Sequence, residues 1–245
     1  MRTQPYPNRL VALVFALTLS SSLPALAESS ASTPVVSVVL SSAKPDTFMT
    51  LVAPRDKGEI DRDRDAAKND ESAADLAIRA ANEREASEKA EVDLQKANVE
   101  QIKAEINLAD QNKDEAAKKS GEAKKQYAEL RLKLLEKRRD MRSAERGLAQ
   151  AMKEAAGGIA RACEREKNLG DKRGENPPFS ATDASALAKR LRWENDVRDL
   201  EKQTLEAYRE ASSKRKTLTE RESDVISKRL DVLSVQKEIV EQASR

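Results

Sequence analysis

Histidine is absent from this 245-residue chain, and cysteine occurs once. The missing histidine removes the commonest general base and metal ligand. G-x-S-x-G, HExxH and the glycine loop that cradles phosphate are missing as well. Acid pairs are plentiful, as at Asp61, Asp63 and Asp65, but acid–base work needs carboxylates held in a cleft that shifts their pKa. The Asp61 cluster starts like a calcium loop, yet lacks the glycine at its sixth position and has Ser72 where the twelfth-position glutamate belongs. The expectation is a non-catalytic chain with no cofactor and no metal.

Aromatic residues make up only 3% of the chain. Beyond residue 27 they are Phe48, Tyr127, Phe179, Trp193 and Tyr208. Large aromatics dominate burial in compact cores, so a globular domain of this length would be starved of them. An excess of either charge is missing too. Arg2 and Arg9 are the only charged residues among the first 27, and without them 43 bases face 43 acids. Nucleic-acid binders need surplus Lys and Arg to displace counterions, so no nucleic-acid partner is expected. Arg131 to Arg146 is the most basic stretch and reads as a solvated helix face.

The N-terminus is the one long apolar feature. Arg2 and Arg9, the run Leu10 to Leu19, and Ala25-Leu26-Ala27 before Glu28 have the three parts of an export signal cut after Ala27. The run is about ten residues, short of the roughly 20 that span a bilayer. These features predict a bacterial periplasmic or secreted product with at most peripheral membrane contact. Residues 28–55 form a Ser/Val-rich flexible leader. Val35 to Leu40 and Thr47 to Val52 carry β-branched residues around the turn chemistry of Pro45-Asp46, so two strands can form there.

What remains is helical in pattern. Charged residues are 36% of the chain, and with abundant Ala, Leu, Glu, Lys and Arg they match the composition of coiled coils. Asp56 with Glu59, and Ser72 with Asp75, are spaced as capping boxes. A sevenfold series runs Val99, Ile106, Lys113, Ser120, Tyr127, Leu134, Met141, Leu148, Ala155. Its partner runs Ile102, Ala109, Ala116, Ala123, Leu130, Lys137, Ala144, Ala151. A narrow seam of this kind must be buried against another helix. Lys113 and Ser120, just before Gly121, are its weakest point.

Gly157-Gly158 reads as the end of this helix, and Gly170, Gly174, Pro177 and Pro178 as a loop. Ser180 with Asp183 makes a further capping box, with Phe179 placed to staple onto Ala184. A second series follows: Val197, Thr204, Ala211, Leu218, Val225, Val232, Ile239. Ile226, Leu233 and Val240 broaden the apolar stripe towards the C-terminus.

The predicted fold is all-α, a long antiparallel coiled-coil hairpin behind the leader. Residues 56–156 form its first helix, 157–180 a tip loop containing a short helix, and 181–245 its second helix. Ile60 to Leu94 would project beyond the second helix. Two candidate sites sit at the tip. Cys163 is an unpaired cysteine in an exported chain, a candidate for an intermolecular disulfide or a free thiol, against burial as a small apolar residue. Asn176, Pro177, Pro178 and Phe179 present a stiff, partly apolar surface to a partner.

The predicted function is a scaffold or adaptor of the bacterial envelope, binding envelope proteins or itself through the tip or the leader. The alternative is a holdase clasping unfolded clients between helical hairpins. In outline the chain resembles periplasmic prefoldin-like chaperones. Those are strongly basic and bear an oligomerising strand core, whereas here the charge is balanced and only Val35–Val52 offers strands.

Overall fold

The computed structural model describes residues 49–180 and 182–244. Among them are three helices: α1 (Lys57–Gln111), α2 (Glu115–Gly174) and α3 (Ala184–Ala243). The fold is all-α with helix-on-helix packing, and no strand occurs among the described residues. The export signal at 1–27 and residues 28–48 of the leader, with most of the proposed strands, lie outside them.

A single helix over 56–156 is expected and does not form. α1 starts where Asp56 caps it, its carboxylate accepting from the Gly58 N–H at 2.9 Å. It stops at Asn112, and Lys113 takes a left-handed conformation, φ 54°. Asp114 then caps α2, accepting from the Ala117 N–H at 2.9 Å. The cause lies in the seam. Around Lys113 and Ser120 a straight helix has no apolar row to bury, while Asn-Lys-Asp supplies a C-cap, a reversal and an N-cap in three residues. Gly121 stays inside α2. A Cβ there would lie 2.6 Å from Ile106 Cγ1, so its bare backbone lets α1 approach.

α1 and α2 therefore run antiparallel along their whole lengths. Lys57 pairs with Asp171, Asp61 with Lys167, Asp75 with Lys153 and Glu85 with Arg146. Ile60–Leu94 does not project; it is paired with the C-terminal half of α2. α3 in turn runs antiparallel to α2, from Asp196 beside Lys172 to Glu238 beside Lys133. Among the described residues α1 and α3 do not pack on each other.

Two sevenfold rows on α2 explain this. Ala128, Leu135, Arg142, Ala149, Ala156 and Cys163 face α1: Gln95 donates to the Ala128 carbonyl at 3.0 Å, and Arg142 lies 3.7 Å from Glu88. Lys137, Ala144, Ala151, Gly158 and Arg165 face α3, through Asp231, Ala211 and Gln203. The rows are two residues apart, about 200° around the helix. α2 is thus the middle of a layer one helix thick.

The tip predicted at 157–180 is also corrected. Gly157 and Gly158 are buried in mid-helix, because a Cβ on Gly158 would press on the Ala211 backbone at 3.3 Å. The glycine marks a close helix crossing, and α2 continues to Gly174. The reversal is confined to the few residues between Gly174 and Ala184. Asp183 caps α3, accepting from the Ser185 and Ala186 N–H groups at 2.8 and 3.3 Å. Phe179, expected to staple onto Ala184, is 53% exposed.

Candidate functional site

Residues 49–56 run over the C-terminal end of α2 and along α3 as a strap. Val52 is buried with Leu169, Trp193 and Val197, the heaviest apolar cluster of the described residues. The strap's polar groups converge on Glu201, which is fully buried. Glu201 Oε1 accepts from the Leu51 N–H at 3.0 Å and from Arg173 Nη2 at 2.7 Å, and Arg173 also reaches the Val52 carbonyl at 2.7 Å. A buried carboxylate is tolerated only when paired and hydrogen-bonded. Here that pairing ties the strap, α2 and α3 together.

One turn further, Arg55 bridges Asp63 of α1, Glu166 of α2 and the Tyr208 hydroxyl of α3. Burial opposes the charge on Arg55, but its hydrogen bond to Asp63 and the field of Glu166 outweigh this and raise its pKa. The Tyr208 hydroxyl donates to Glu166. Burial, then this hydrogen bond, raises its pKa far above the ordinary phenol value.

Cys163 sits inside this cluster and not at a tip. It is buried, and burial followed by the fields of Asp63 and Glu166 pushes its thiol up to about 11. In the folded chain it is a protonated, packed side chain, so the intermolecular disulfide is corrected: no second sulfur can approach it. Arg161 and Arg165 do not activate it; they bond to Glu210 and Gln203 of α3.

Asn176, Pro177, Pro178 and Phe179 follow directly on the C-terminal end of α2. Because Lys172 lies beside Asp196, the first three turns of α3 stand beyond α2, and Asn176 and Pro177 lie against them. Arg190 holds the loop. It donates to the Asn176 side chain and to the Pro177 carbonyl at 3.2 Å, and it stacks 4.4 Å over the Trp193 ring. Trp193 Nε1 donates to the Lys172 carbonyl at 2.8 Å. Asn176 and Pro177 are thereby held, while Phe179 and, on α3, Leu191 are more than half exposed.

Sequence reasoning missed the strap contacts. The one available signal was Glu201, a carboxylate in the stripe between Val197 and Thr204. The groove between α2 and α3 at Arg161, Arg165, Glu206 and Glu210 is open and lined by both charges. Among the described residues no cluster is placed to hold a metal, and no helix is long and apolar enough to cross a membrane. Comparison with protein-family models, with curated proteins and with solved structures returns no match for this chain.

Proposed function

We propose that the chain is a non-catalytic scaffold or adaptor of the bacterial envelope that engages a protein partner with the loop end of α3. The observation that carries this is a held connection with an uncovered aromatic: Arg190 bonds to Asn176 and to the Pro177 carbonyl, and Phe179, two residues on, stays open to solvent. Preorganised aromatic and aliphatic groups on a rigid support are what interface anchors require. The envelope placement rests on the N-terminal signal pattern.

In-cell photo-crosslinking from position 179, with Leu94 on α1 as the control position, tests it. A discrete adduct from 179 alone, lost in Phe179→Ala/Leu191→Ala, supports the adaptor. Equal or absent capture at both positions refutes it. The holdase reading is favoured by a different observation, the large apolar side chains exposed on α3 near its C-terminus. A holdase would suppress aggregation of unrelated unfolded clients at near-equimolar amounts, and an adaptor would not.

A further inference from the structure

The sevenfold series most evident on α2 is only partly covered by the neighbouring helices. Tyr127, Leu134, Met141 and Leu148 fall between the row facing α1 and the row facing α3, and all four remain partly or largely exposed. On α3, Ile226, Leu230, Leu233 and Val240 form a second open row, each 57–68% exposed. Their spacing of four, three and seven is that of a coiled-coil seam.

Both rows lie on the same side of the layer. Arg229, bordering the α3 row, reaches Glu145, bordering the α2 row, at 3.5 Å. Glu145, Met152, Ile159 and Glu166 continue up that side at sevenfold spacing, and at the top Arg55 of the strap bonds to Glu166 at 3.2 Å. One end of this side is therefore closed by the chain itself. The opposite side of α2 carries Arg139, Ser143 and Gln150.

The geometry points to a second copy of this chain as the cover for the remainder, in a two-fold dimer with the two α3 helices antiparallel. The spacing calls for a helix as partner. Charges of both signs border the apolar rows, Glu145 and Glu222 with Arg131, Arg138, Arg229 and Lys237, and an isologous face must complement itself by setting its acids on its bases. Parallel pairing would set Lys237 on its own copy, whereas antiparallel pairing brings it to Ile226 and Glu222. The eight side chains expose roughly 650 Å² per protomer, above the largest patch of an ordinary monomer. Two such faces bury about 1,300 Å², within the range of stable interfaces. The inference does not rest on the loop reading, and its failure would leave that reading standing.

Sedimentation equilibrium of the purified chain tests it. The expected result is a dimer dissociating at roughly 10 µM. Leu230→Glu/Leu233→Glu should weaken it on the order of 100-fold with helical circular dichroism unchanged, while Leu76→Glu on α1 leaves it intact. Nitroxide labels at Ser213, in a Cys163→Ala background, should lie about 60 Å apart between copies, from 1.5 Å per residue on either side of the two-fold. A chain still monomeric at about 100 µM overturns the inference, including the case where residues 28–48 of the same chain cover the rows. Undiminished association of the double variant overturns it as well. Labels within about 25 Å overturn the antiparallel arrangement.

Discussion

The two ends of α2 are held in different ways. Near its N-terminus, before Gln126 reaches Gln242 of α3, it meets only α1, across Ala109 and the bare backbone of Gly121. Near its C-terminus it meets α1, α3 and the strap together, across Leu169, Val52, Trp193, Val197 and two buried carboxylates. Two helices joined by small side chains can lie close but bury little per turn. A junction of three or more segments can enclose large residues and charges completely. Most of the stability gained per residue therefore belongs to the strap end.

The sharpest way to break that contrast is Trp193→Ala. It empties a buried cluster and removes the bond to the Lys172 carbonyl, so a loss of about 3–5 kcal/mol is expected. It should be read as a fall in the urea midpoint, with proteolysis appearing first around Arg55. A smaller effect concerns Cys163, whose thiol titrates near 11 when folded and near 8.5 in an unfolded chain. The unfolded form gives up its proton first. Stability is thus full below about pH 8.5 and lost as pH rises towards 11, on the order of 3 kcal/mol, and Cys163→Ala should flatten that part of the pH profile. Iodoacetamide should label the thiol only after unfolding. At the other end the smallest effect is a gain. Lys113→Gly relieves a left-handed residue and should stabilise the chain by about 0.5–1 kcal/mol, seen as a slightly higher melting temperature.

The helical class, the Asp56 cap and the seam of α3 were legible in the residues: Val197, Thr204, Ala211, Val225 and Val232 are all buried. The arrangement of α2 was not. A helix with partners on two opposite sides carries two rows, and when these are mostly alanine, interrupted by Arg142 and Lys137, they are fainter than the row of Leu, Met and Tyr that lies between them, only partly covered. Gly157-Gly158 misled for a related reason, since a glycine needed for close packing reads like one that ends a helix. The reversal at 112–114 contains neither glycine nor proline. Of the candidate site, the position of Cys163 was not legible, because the groups around it, Asp63 and Tyr208 among them, are far away in sequence.

The strap sits before α1 yet is fastened chiefly to α3, and these two helices have no packing of their own. It is therefore the direct link between the first and last helices. A pull on the chain entering at Met49 would load the Val52 pocket and the Glu201 anchor before any helix had to slide on another. Such a fastening gives way by peeling, one contact after the next, while the long antiparallel pairs resist in shear with all their contacts at once.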